Sequence, residues 1–237
     1  MKLEIGYNHL FEIRKEEVFD SKLKENFTVL YLSDLHLNKF GKNIVSRIIE
    51  TIDELNPTLI LLGGDYVDSK EGLFYFNSFL SSISFRQNIF AIAGNHDYYF
   101  GIDKIKKTII NNNIVWIEKK SFYLNLEQVV IRIDGNFINT DITNHDFSIL
   151  CLHKPMNIDV FKNDYNIAFA GHLHGCQLVF WESENKLFPG QFFYKWNILK
   201  TKNNNCQYFV SKGLGDTLPV RYNCKKDIVF VQVNGNN

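Results

Sequence analysis

Three segments in the first hundred residues share one pattern. Each has a short, continuously apolar run, then a turn of Asp, Gly, Asn and His, and then a more mixed stretch. The runs are Phe27 to Leu32, Thr58 to Leu62 and Ile89 to Ala93. Runs this short, without polar alternation, suit central strands buried on both faces and paired in parallel. Between them Ile44, Val45, Ile48, Ile49, Ile52 and Leu55 recur at helical spacing, as do Leu73, Phe76, Phe79 and Leu80, which predicts two crossover helices. Pro57 ends the first. Later strands are expected at Ser121 to Leu126, Gln128 to Asp134, Phe147 to Leu152, Asn166 to Ala170, Gln177 to Trp181, Gln207 to Ser211 and Ile228 to Val233. Strands alternating with helices first, and mostly strands later, predict an α/β fold of two mixed sheets packed face to face with helices outside. No linker or repeat divides residues 1–237, so one domain is expected, with Asn203 to Asn205 and Asn234 to Asn237 as solvated loop and tail.

Composition narrows the partners. The 237 residues are 45% hydrophobic, enough for a substantial core, and 26 Lys and Arg balance 26 Asp and Glu. A neutral chain offers no general field for extended nucleic acid or an anionic membrane, so an anionic substrate must be held locally, and metal ions are the obvious local charge. Cys151, Cys176, Cys206 and Cys224 lack CxxC spacing and read as thiols in a reducing compartment, Cys176 as a small packing residue. Met1 to Ile5 lack the apolar core of a signal peptide, and no stretch reaches the ~20 apolar residues of a spanning helix. A cytoplasmic location is expected, with peripheral membrane contact left open.

The turns carry the chemistry. Asp34 and His36, two apart after a strand, point to one side of an extended segment. Asp65 follows two glycines that allow a close approach, and its two carboxylate oxygens can reach two cations. Gly94-Asn95-His96-Asp97 offers an amide carbonyl and an imidazole, with Asp97 read as a cap. His153 ends another apolar run, and His172 and His174 lie between glycines. Each motif alone has a plain structural reading as a turn or surface residue. Five of the seven histidines fall in these strand-end clusters, where open α/β sheets place their ligands.

The ordered set Asp34-Leu35-His36, Gly64-Asp65, Gly94-Asn95-His96-Asp97, His153 and Gly171-His172-Leu173-His174 resembles the calcineurin-like metallophosphoesterase family. The ending Ser211-Lys212-Gly213-Leu214-Gly215 with Pro219-Val220-Arg221 is similar to its bacterial branch that includes UDP-2,3-diacylglucosamine hydrolase-like phosphodiesterases. The resemblance implies a four-layer αββα sandwich and two divalent metal ions, with manganese expected and iron, zinc, cobalt or nickel open. It implies Asp34, His36, Asp65 and His174 around one ion, and Asp65, Asn95, His153 and His172 around the other, with a bridging hydroxide attacking phosphorus. His96 would serve as general acid or electrostatic stabiliser, its ring oriented by Asp68.

Phosphoprotein phosphatases of this superfamily carry Arg where this chain has Ser69, which favours a phosphodiester or pyrophosphate in a small substrate, lipid- or nucleotide-linked. A nuclease and a noncatalytic metal-binding scaffold are the alternatives. Lys154 and Arg221 read as solvated surface charges. Tyr98, Tyr99, Phe100, Phe192, Phe193, Tyr194 and Trp196 read mostly as core, with a substrate groove as the second reading. Oligomeric state stays open.

Overall fold

The computed structural model describes residues 3–5, 8–139 and 144–236; Met1 and Lys2 of the amino-terminal reading, and Asn237 of the expected tail, lie outside them. Among the described residues sixteen strands and four α-helices follow one another in chain order, with β1 (Leu3–Ile5) and β15 (Val220–Tyr222) forming a small antiparallel pair of their own. One six-stranded sheet has the order β2 (Phe11–Phe19), β16 (Lys226–Asn234), β3 (Phe27–Leu32), β4 (Leu59–Leu62), β5 (Ile89–Ala91) and β6 (Val115–Trp116). From β3 to β6 the pairing is parallel, as the buried apolar runs predict, and β16 joins β3 antiparallel. The second six-stranded sheet has the order β13 (Lys200–Asn203), β14 (Cys206–Val210), β10 (Ile167–Ala170), β9 (Phe147–Cys151), β8 (Val130–Gly135) and β7 (Lys120–Asn125), parallel from β14 to β8.

The sheets pack face to face. Val29, Tyr31, Leu61 and Val231 of the first interlock with Ile131, Ile149, Ile167 and Phe169 of the second. Tyr31 stacks on Phe169 and donates to the Leu152 carbonyl at 3.0 Å, so one residue supplies packing and a polar tie between the sheets. Helices α1 (Lys42–Leu55), α2 (Lys70–Ile83) and α4 (Ile102–Asn111) bury Ile48, Ile52, Phe76, Phe79, Leu80, Ile105 and Ile109 against the outer face of the first sheet. The outer face of the second is covered by a 3-10 turn (Ile158–Val160) and by Phe161, Trp196 and Ile198.

Both predicted crossover helices form. The strand β2 escapes prediction because its partly exposed sequence, FEIRKEEVF, carries five charges and lies at a sheet edge. Asn203 and Asn234, expected in loop and tail, instead close β13 and β16, where their backbones pair. No helix among the described residues is long and apolar enough to cross a membrane.

Candidate metal centre

Parallel strands in register bring their carboxyl ends to one edge, so turns far apart in sequence meet. Asp34 and His36 follow β3, Asp65 follows β4, and Asn95 and His96 open the short helix α3 (Asn95–Phe100) after β5. His153 follows β9 and His172 and His174 follow β10, facing them from the second sheet. Ligand-type atoms of Asp34, His36 and His174 all lie within 4.8 Å of one another, and so do those of Asp65, His153 and His172. Asp65 sits between the groups: its Oδ2 is 3.8 Å from His36 Nε2 and 3.2 Å from His153 Nε2. Asn95 Oδ1 lies 3.0 Å from His153 Nε2.

The backbone bends to achieve this. Asp34, His36, Asp65, His172 and His174 have φ of 54°, 43°, 56°, 72° and 51°, the left-handed region, which costs a residue with a Cβ roughly 1–3 kcal/mol. Neighbouring glycines make room. A Cβ on Gly64 would overlap the Gly94 backbone, and one on Gly171 would overlap Asp34 Oδ2. Asp97 caps α3 and joins two turns: Oδ2 accepts from Gly94 and Asp65 N–H, and Oδ1 from Tyr66 N–H. Its structural reading agrees with this geometry.

Hydrogen bonds select the tautomers. Asp68 accepts from His36 Nδ1 at 2.9 Å, which leaves Nε2 as the lone-pair nitrogen; that atom is buried and has no hydrogen-bond partner. His153 Nδ1 donates to the Gly63 carbonyl at 2.9 Å, turning its Nε2 toward Asn95 and Asp65. An orphaned imidazole nitrogen beside the clustered carboxylates and imidazoles of the two groups fits a cation. Burial raises the Asp34 carboxyl and pushes His172 down to about 4. Burial also opposes charge on His153, but the Asp65 hydrogen bond and the Asp34 and Asp65 charges outweigh it and raise its pKa to about 9.

Asp68 thus hydrogen-bonds His36, while its distance to His96 Nδ1 is 3.4 Å; the expected His96 orienter serves a ligand-type histidine first. His96 stands edge-on to His36 at the mouth, with 40% of its side chain exposed. Arg221 corrects the surface reading. It is 2% exposed, pairs with Asp216 at 2.6 Å, donates to the Lys212 and Gly215 carbonyls, and faces His174 Nδ1 at 3.4 Å. Lys154 is exposed, and Cys176 half-buried.

The core reading fails for most of the aromatics. Tyr98, Tyr99, Phe192, Phe193 and Tyr194 are exposed, while Phe100 and Trp196 are partly buried. Phe192, Phe193 and Tyr194 resemble a core segment, but they follow the hairpin of β11 (Val179–Ser183) and β12 (Lys186–Pro189), which pairs with neither large sheet, and Tyr98 and Tyr99 lie on α3. Asn136 has no role in the sequence reading, although Gly135-Asn136 closes an apolar run as the Asp, Asn and His motifs of the site do.

Two packed mixed sheets with Asp, Asn and His converging at strand ends define a metal-dependent phosphoesterase class of site. The family model for calcineurin-like phosphoesterases matches residues 27–176, and the chain belongs to that family. It is 24% identical to a metallophosphoesterase of Campylobacter jejuni over 94% of this chain and 63% of the relative. It is 25% identical to the phosphodiesterase YaeI of Escherichia coli, over 96% of this chain and 92% of that one. The chain spans just under two thirds of the length of its Campylobacter and Helicobacter relatives. The fold is shared with Haemophilus influenzae NAD nucleotidase, with a TM-score of 0.52, 14% identity, and coverage of 81% of this chain and 46% of that one.

Proposed function

We propose that this chain is a dinuclear-metal phosphodiesterase, hydrolysing a phosphodiester or pyrophosphate bond in a small, lipid- or nucleotide-linked substrate in the cytoplasm. The observation that carries this reading is the pair of adjoining ligand groups around Asp65, with the buried His36 Nε2 left without a partner. Asp34, His36, Asp65 and His174 would hold one ion, and Asp65, Asn95, His153 and His172 the other, manganese being the expected metal. Two such ions supply Lewis-acid activation of water and charge neutralisation on phosphoryl oxygens.

The chain's own residues supply orientation and proton handling. The Asp68 and Gly63 acceptors fix the His36 and His153 tautomers. His96, more accessible than the buried histidines, would donate a proton to the leaving oxygen. Ser69 spends its hydroxyl capping α2, accepting from Gly72 N–H at 3.1 Å, and the Arg221 guanidinium is committed to buried acceptors. Neither grips the second charge of a monoester, which favours a diester. The exposed rings following the His174 turn support a substrate with an apolar or planar part.

The test is manganese-supplemented hydrolysis of a generic phosphodiester and its matching monoester, with a chelated control and Asp65→Asn. Chelator-sensitive diester cleavage lost in the variant is expected. Metal-loaded protein that turns over nothing on a broad ester panel would favour a binding scaffold; preferential cleavage of polynucleotides would favour a nuclease.

A further inference from the structure

One half of the centre spans the gap between the sheets. Asn95 rides on the first, two residues beyond Ala93, and His153 on the second, two residues beyond the end of β9. Neither strand is hydrogen-bonded to the other, yet Asn95 Oδ1 and His153 Nε2 stand 3.0 Å apart. Asn136, at the end of β8, closes the gap. Its Nδ2 donates to the Ala93 carbonyl and to Glu118 Oε2, both at 2.8 Å, and its Oδ1 accepts the His153 backbone N–H at 2.7 Å.

Glu118 completes the arrangement. The same Oε2 accepts Ala93 N–H at 2.9 Å, so both polar groups of the Ala93 backbone are held by this pair of side chains. Three of the four hydrogen-bonding positions of the Asn136 side-chain amide are in use, and its own N–H donates to the Cys151 carbonyl at 2.8 Å. Asn136 sits at a φ of 51°, which asparagine tolerates better than most residues. The Asp34, His36 and His174 half is held by other means: His172 N–H on Asp34, Asp68 on His36 and Arg221 beside His174.

Resting on the two-ion reading above, we propose that Asn136 and Glu118 are a positioning pair that sets the Asn95 to His153 spacing, and with it the affinity for the ion at Asp65, Asn95, His153 and His172. Outer residues that orient ligands typically change metal affinity about 10–100-fold. The pair touches one half of the centre only, so its loss acts asymmetrically.

The experiment is manganese titration of the full chain by calorimetry, with metal content checked by elemental analysis, for the parent, Asn136→Ala and Glu118→Gln. The parent is expected to hold two ions. In Asn136→Ala one ion keeps its Kd while the other weakens about 10–100-fold. Glu118→Gln keeps an acceptor for Ala93 and Asn136, so the same ion weakens less than about 10-fold; it carries the test should Asn136→Ala not fold. Equal weakening of both ions, or a lower Tm with both affinities unchanged, would sink the positioning pair alone. A parent that holds fewer than two ions would sink the two-ion reading and the pair with it.

Discussion

Replacing Asp97 by Ala separates architecture from chemistry at the centre of the site. Its carboxylate is fully buried and takes three backbone N–H groups, from Gly94 at 2.8 Å and from Asp65 and Tyr66 at 2.9 Å. Burial pushes the carboxyl up to about 6 against the pull of these donors. A buried donor left unsatisfied costs about 1–3 kcal/mol, so three set a ceiling of roughly 9 kcal/mol. Water entering the vacated space restores part of the bonding, which leaves an expected loss of about 3–5 kcal/mol. For a domain of this size that is a fall in Tm of roughly 6–20 °C. Urea unfolding of metal-free protein measures it without a contribution from ion binding. Asp97→Asn, which keeps one acceptor oxygen but turns amide hydrogens toward a backbone donor, should fall between. Asp97→Ala within about 1 kcal/mol of the parent, yet without turnover, would refute the structural role and make Asp97 a participant in the reaction.

Three further outcomes follow from the same geometry. Gly171→Ala drives a Cβ into Asp34 Oδ2 and Ser33 Oγ, so stability should drop by about 1–3 kcal/mol and manganese affinity should weaken at the Asp34, His36 and His174 group; unchanged metal binding would contradict that packing. Arg221→Met leaves the Lys212 and Gly215 carbonyls without their donor and Asp216 with Lys226 alone, and should cost about 3–5 kcal/mol in denaturant unfolding; a neutral effect on folding with a raised KM would instead make Arg221 a substrate contact. His153, with its pKa raised from 6.5 to about 9, holds a proton in metal-free protein at pH 7, so its stabilising contribution is full below 6.5 and lost as pH rises through 9. Metal uptake should release that proton, and calorimetry in two buffers of different ionisation enthalpy reads it; buffer-independent heats at pH 7 would contradict the protonated state.

Much of the site was legible in the chain because strand-end chemistry is local. An apolar run followed by Asp-x-His, Gly-Asp, Gly-Asn-His or Gly-His-x-His states both where a strand stops and which ligand atoms it offers. The parallel order of β3, β4 and β5 follows from the same runs, since strands buried on both faces with helices between them have few other arrangements. Where burial depends on a distant partner, the chain alone was silent or misleading. Arg221 reads as a surface charge until Asp216 and the carbonyls of the Lys212 to Gly215 turn enclose it. Phe192, Phe193 and Tyr194 read as core until they are seen to lie exposed after a hairpin that pairs with neither large sheet. Asp68 and Asn136 make the point within the site itself. Sequence supplies their hydrogen-bonding atoms, but the pairing of β3 with β4 decides that Asp68 meets His36, and the closing of the two sheets decides that Asn136 reaches Ala93 as well as His153, because hydrogen bonds act over about 3 Å and that distance is set by tertiary structure.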